Sequence, residues 1–274
     1  MPLQFLLAAF IACQSAPAAV VTAGARTFDL QSRRAIQARL HRFSDDNSER
    51  EAILKQMFQE DGCRPPRLEE QRVEREKLPN LTCTLAGASN SMIIVGAHFD
   101  HVKIGQGVVD NWSGASLLPT LYASLQHVPR KHTFVFIGFT DEEGGLVGSR
   151  FYAGHLTAER QARIRAMINL DSLGLASTKI FLTHSDKELF EKLERLAHLM
   201  KLPVDVVNVP GADEDSEAFG RRKIPTLMVH SVTPSTWPIL HTARDTLAAV
   251  DMTAYYGTYR LIAAYMADLD QKLR

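Results

Sequence analysis

Three cysteines are all the sequence holds, and the spacing of Cys63 and Cys83 fits no zinc motif, so any metal must be held by other residue types. Net charge is also missing, because 31 Lys and Arg balance 31 Asp and Glu. The balance therefore supplies no long-range attraction to nucleic acid or to an anionic membrane, and no nucleic-acid partner is expected. No apolar run reaches the roughly 20 residues that a membrane-spanning helix needs, so no stable membrane span is expected. No internal repeat or low-complexity tract is apparent. A phosphate-binding loop is missing too. Gly144, Gly145, Gly148 and Ser149 are followed by no Lys, and the acidic pair Glu142-Glu143 before them would repel phosphate.

What is present suits a globular protein. Among 274 residues, 45% are hydrophobic and 23% charged, enough to bury a large core. Residues 26–274 are expected to form one catalytic domain. Residues 1–25 read as a signal segment, with an apolar stretch from Leu3 to Ala12 and small-residue cleavage sites at Ala16-Pro17-Ala18 or Ala23-Gly24-Ala25. The expected location is then periplasmic or extracellular. Cys13 follows Phe10-Ile11-Ala12, similar to the lipid-attachment box of bacterial lipoproteins, although Phe10 replaces the usual Leu; a lipid anchor at Cys13 is the alternative outcome of export. In an oxidising compartment Cys63 and Cys83 are reasonable disulfide partners, and two unpaired buried thiols are the alternative.

From Thr27 to about Gln59 the apolar positions Leu30, Ile36, Leu40, Phe43, Ile53, Leu54, Met57 and Phe58 predict two helices. The charged run Arg67 to Lys77 predicts a solvated connection. Short apolar runs at 92–97, 134–139, 166–170, 180–183 and 226–229 predict strands, and 117–125, 188–200 and 252–269 predict helices, the first starting near or kinking at Pro119. Such alternation implies an α/β domain with a largely parallel sheet buried on both faces.

Polar residues fall at the ends of those strands. His98 and Asp100 follow the first, Glu142 and Glu143 the second, and Asp171 the third. In open α/β sheets that edge binds ligands, since its loops converge without disturbing the core. Imidazole and carboxylate suit zinc. Asp100 could accept the other imidazole N–H of His98. Asp110, in a loop leading to a helix, could bridge two ions. Of Glu142 and Glu143, one would coordinate and the other would move protons.

Together, Gly96-Ala97-His98-Phe99-Asp100-His101, Val109-Asp110-Asn111-Trp112-Ser113-Gly114, Glu142 to Ser149, Asn169-Leu170-Asp171 and His241 to Thr246 resemble the co-catalytic zinc aminopeptidases typified by secreted bacterial leucyl aminopeptidases. The resemblance covers about residues 78–250. It implies a three-layer helix/sheet/helix sandwich of zinc-exopeptidase type with a mostly parallel central sheet. It also implies two Zn2+ ions per chain, with Asp110 bridging, His98 and Asp171 completing one site, and Glu143 and His241 the other. Glu142 would be the general base, assisted by Asp100, acting with a bridging hydroxide on peptides with a free amino terminus. Asp245 would orient His241. His230 also follows an apolar strand and competes with His241, but lacks the Asp245-Thr246 pair that matches the family. His101 reads as a solvated neighbour, and Asp141 as a neighbour of the site or a helix cap.

Two departures stand out. Ser216 occupies a position where many members have His, and Leu240 one where some have Tyr. Glutaminyl cyclases share the fold but lack the first His ligand, and non-catalytic relatives shed ligands or the base; these are the two alternative readings.

Overall fold

The protein's structure, a computed structural model, describes residues 20–22, 27–209 and 211–273. Most of the expected signal segment, with Cys13 and both small-residue sites, lies outside the described residues. Strands β1 (Val20–Thr22) and β2 (Thr27–Asp29) form an antiparallel ribbon. Helices α1 (Arg33–Leu40) and α2 (Asn47–Glu60) precede β3 (Leu68–Gln71), β4 (Asn80–Leu85) and β5 (Met92–His98). Helix α3 (Ser113–Leu125) leads to β6 (Thr133–Phe139), and α4 (Val147–Gly154) and α5 (Ala158–Arg163) lead to β7 (Ile164–Leu170). Then come β8 (Thr178–Ile180), α6 (Lys187–Met200), β9 (Val204–Val206), α7 (Ser216–Gly220), β10 (Thr226–His230) and α8 (Met252–Lys272).

Eight strands form one mixed sheet in the order β3-β4-β6-β5-β7-β10-β8-β9. Its centre, β6-β5-β7-β10, is parallel throughout. The reason lies in the side-chain period of two. Ile93, Val95 and Ala97 of β5 join the core under α1, α2, α3, α6 and α8, while Met92 and Ile94 face the opposite cluster with Tyr152 of α4 and Phe219 of α7. A strand covered on both sides has no solvent face to mark with polar residues, hence its unbroken apolar run. This is the three-layer α/β sandwich expected from the sequence.

Four expectations need correction. The run at 180–183 is strand only at Ile180, where β8 ends, and Leu182–His184 is a single 3-10 turn. Thr27–Asp29 is strand rather than helix, and the first helix begins at Arg33, capped by the Ser32 hydroxyl. Leu68–Gln71 is an edge strand and not merely a solvated connection, because Leu68 is buried while Glu69 and Glu70 point outward. Helix α3 starts at Ser113 and runs through Pro119. Its entry is set instead by the turn Val108–Trp112.

Cys63 and Cys83 form a disulfide that ties the end of α2 to β4, 20 residues apart in sequence, and both are fully buried. Closing a loop of that length restricts the unfolded chain and is worth about 3 kcal/mol. The Cys63→Ser/Cys83→Ser double variant should therefore melt roughly 6–12 °C lower in a thermal scan. An unchanged midpoint would mean that the link contributes nothing to stability.

Candidate metal centre

Five chain segments meet over the carboxyl ends of β5, β6 and β7. β5 ends on His98, β6 is followed by Glu142 and Glu143, and β7 by Asp171. Asp110 enters from the turn before α3, and His241 from the loop between β10 and α8. The side chains sort into two groups, His98 with Glu142 and Asp171, and Asp110 with Glu143 and His241, each with ligand atoms within 4.8 Å of one another. Asp110 sits between them. Its Oδ1 lies 3.3 Å from His98 Nε2, and its Oδ2 lies 3.1 Å from His241 Nε2. His98 Nε2 is 3.5 Å from Asp171, and His241 Nε2 is 3.0 Å from Glu143. Glu142 stands slightly further out, 4.0 Å from His98 Nε2.

The surroundings hold these groups rigidly. Asp100 accepts the backbone N–H of Glu142 at 3.1 Å and of Glu143 at 3.2 Å, one on each carboxylate oxygen. It thus fixes the turn that carries the acidic pair. His98 Nδ1 meets the Asp100 carbonyl at 3.2 Å and its carboxylate at 3.6 Å. Asn111 bridges segments, donating to the Leu170 carbonyl and accepting from the Gly114 amide. Gly114 is required here, since a Cβ would come within 2.3 Å of the Leu170 carbonyl oxygen.

Asp245 does not orient His241. Its two oxygens accept the amides of Val109 at 2.7 Å and Asp110 at 3.0 Å, so it holds the segment that carries Asp110. Behind it lies Arg50, fully buried, which donates to the carbonyls of Ser44, Phe99, Gln106 and Gly107 and lies over the Trp112 ring. Sequence reasoning missed Arg50 altogether. Within an amphipathic helix it looks like any solvated charge, and only its burial reveals that it fastens the loop behind the site. Burial lowers its pKa to about 10, with Asp245 opposing the shift.

His101 is buried rather than solvated; its Nε2 faces the Asp45 carbonyl, and Gly107 packs against its side chain. His230 lies apart from both groups, with Nε2 on the Val207 carbonyl and Nδ1 accepting the Val232 amide, and burial lowers its pKa to about 4. The Ser216 hydroxyl and amide both donate to Glu214. Leu240 lines a cavity of about 730 Å3 that opens beside the two groups.

The residues fit a pair of cations. His98 Nε2 and Glu143 Oε1 are buried and make no hydrogen bond. Burial, reinforced by the carboxylates of Asp215, Asp171 and Asp110 and opposed by His98, pushes Glu142 up to about 10. Burial also lifts Asp215 to about 8. Hydrogen bonds to Asp110 and Glu143 raise His241 to about 10. For Asp110, burial opposes the charge, but His241 and His98 outweigh it and hold the carboxyl well below its usual range. The imidazoles thus face the places where cations would relieve the crowded acids. One imidazole and two carboxylates on each side form the mixed N/O set that suits zinc.

Comparison with known proteins identifies the family and the fold. Leupeptin-inactivating enzyme 1 of Streptomyces exfoliatus is 31% identical over 144 residues, covering 51% of this chain and 32% of that protein. The chain spans about a third of the length of the curated relatives it matches first. In fold it is similar to the LapA aminopeptidase of Legionella pneumophila, with 20% identity and a TM-score of 0.71, covering 90% of this chain and 77% of that one. It is also similar to an Acidobacteriales bacterium glutaminyl cyclase, with 18% identity and a TM-score of 0.73, covering 97% of this chain and 100% of that one. Residues 80–266, which include every member of both groups, match the sequence pattern of Peptidase family M28, and the chain belongs to that family.

Proposed function

We propose that this protein is a two-zinc aminopeptidase that hydrolyses the bond after the amino-terminal residue of a peptide. The observation that carries the reading is the position of Asp110, one carboxylate oxygen facing each group. His98 and Asp171 would hold one ion, Glu143 and His241 the other, with Asp110 shared. When bound, the ions supply Lewis acidity toward the scissile carbonyl and lower the pKa of an attacking water. Glu142, 4.0 Å from His98 and next in the chain to Glu143, takes the water's proton and passes it to the leaving amine. Asp100 keeps it there by gripping the backbone of both glutamates. The free amino terminus of the substrate is drawn to the carboxylates that crowd the cavity wall.

The names of relatives support the activity, since leucine aminopeptidases of several fungi match the chain. The fold match to a glutaminyl cyclase keeps amino-terminal Gln cyclisation as the second reading. Against it stands the second complete group of ligands, which single-ion cyclisation does not require. Export is supported by the Cys63–Cys83 disulfide, a link that persists in oxidising compartments. No described helix is long and apolar enough to cross a membrane.

Metal analysis of the purified protein should find two equivalents of zinc, and aminoacyl anilides should be cleaved with free but not with blocked amino termini. Faster cyclisation of amino-terminal Gln than hydrolysis would hand the protein to the cyclase reading. Glu142→Gln should lower turnover on the order of a hundredfold or more while both ions stay bound. Loss of one equivalent of zinc in that variant would make Glu142 a ligand instead of the base. Asp245→Ala frees the amides of Val109 and Asp110, and chelator competition should show zinc bound about 10- to 100-fold more weakly, as when other groups that orient metal ligands are removed. Unchanged affinity would show that the turn keeps its shape without Asp245.

A further inference from the structure

The cavity beside the metal centre carries a strongly uneven charge. Asp110, Glu142, Glu143, Asp171, Asp213 and Glu214 all line it, and Arg244 is the only Lys or Arg among its described lining residues. A substrate amine is well served by this wall. A substrate carboxylate is repelled by it unless a cation receives it.

Arg244 is placed to be that cation. It lies three residues after His241, on the same loop, and its backbone amide donates to the Thr242 hydroxyl at 3.2 Å. Its guanidinium bonds the Pro238 carbonyl, which anchors one nitrogen and leaves the remaining donors of the fork open. No ion pair joins it to any carboxylate among the described residues. Of the acids lining the cavity, Glu214 accepts from His184, Asn169 and Ser216, and Glu143 pairs with His241. An arginine that is tethered by a carbonyl, unpaired, and set in the wall of an acidic cavity has the geometry of a carboxylate receptor.

Resting on the aminopeptidase reading, we infer that Arg244 binds a carboxylate of the substrate and biases the enzyme toward short zwitterionic peptides, whose free carboxyl terminus lies close to the bond being cut. The amine end meets the acids and the carboxyl end meets Arg244, so the cavity matches the dipole of a di- or tripeptide. An acidic side chain in the second position offers the same chemistry from another source.

Steady-state kinetics on leucyl-alanine, its amide, and the amide of leucyl-aspartate separate these sources. The wild-type protein should show a KM for the free acid on the order of fivefold below that for its amide, the scale of an exposed, charge-assisted pair. In Arg244→Ala that ratio should fall to about one, and Arg244→Lys should keep part of it. A low KM for the leucyl-aspartate amide that depends on Arg244, with none for the free acid, would assign the carboxylate to the side chain and overturn the short-peptide preference. Equal KM values for acid and amide in the wild-type protein, or a ratio untouched by Arg244→Ala, would overturn the inference. Isothermal titration with the same peptides reads binding without turnover. Tighter binding of the free acid that needs Arg244, without cleavage of any peptide, would uphold the carboxylate site while removing the aminopeptidase reading.

Discussion

Everything around the cleft is arranged to keep carboxylates of like charge close together and away from bulk water. Asp110, Glu142, Glu143 and Asp171 converge at the ends of three parallel strands, and Asp215, fully buried, lies behind them. Such a cluster is costly to bury, because each charge loses hydration and repels its neighbours. Two kinds of partner offset that cost. Imidazoles face oxygens of Asp110, Glu143 and Asp171, and backbone amides face Asp100 and Asp245. Asp100 and Asp245 each accept two amides, and in doing so they turn burial of charge into rigidity of the loop.

The fold was legible where a single period repeats over many residues. The runs at 92–97, 134–139, 166–170 and 226–229 are strands because apolar side chains are needed on both faces of a covered sheet. The helices at 188–200 and 252–269 were visible for the same kind of reason. Errors fell at short or edge elements. Thr27–Asp29 pairs with residues outside the main sheet, and the apolar positions downstream of it drew it into a helical pattern. Leu68–Gln71 has a single buried side chain, too few for its alternation to stand out against a charged run. Pro119 sits mid-helix because α3 is set by its entry turn and by packing along its whole length.

Legibility of the site followed another rule. His98, Glu143 and Asp171 could be picked out because packing gives no reason for such side chains at strand ends, whereas Asp110 and His241 stood out through the resemblance of the strings around them, and the structure brings all five within a few ångströms of each other. Side chains that act at one remove were misread. Asp245 stands four residues from His241, and proximity in sequence suggested a contact that the structure gives instead to the amides of Val109 and Asp110. Arg50 gives no signal in sequence, since its function depends on being enclosed by Phe99, Gln106 and Gly107 from a distant segment. His101 was misplaced for a similar reason, because only the fold shows Gly107 covering it.

Loading of the cleft and stability of the loops that form it are therefore one problem. Asp110 is gripped from behind by Asp245, whose neighbour Arg50 also binds the carbonyls of Gln106 and Gly107, so the segment before α3 is fastened on the side away from the cleft. On the cleft side the same segment offers an acid that only a proton-bearing imidazole or a cation can satisfy. Binding a cation to the folded form alone favours that form by mass action. Because Asp110 faces His98 with one oxygen and His241 with the other, an ion bound on either side would help to hold the carboxylate that faces the other. Positive charge in the cleft thus does for the open side of the turn what Arg50 does for the closed side, and the geometry needed for chemistry is the geometry in which the two balance.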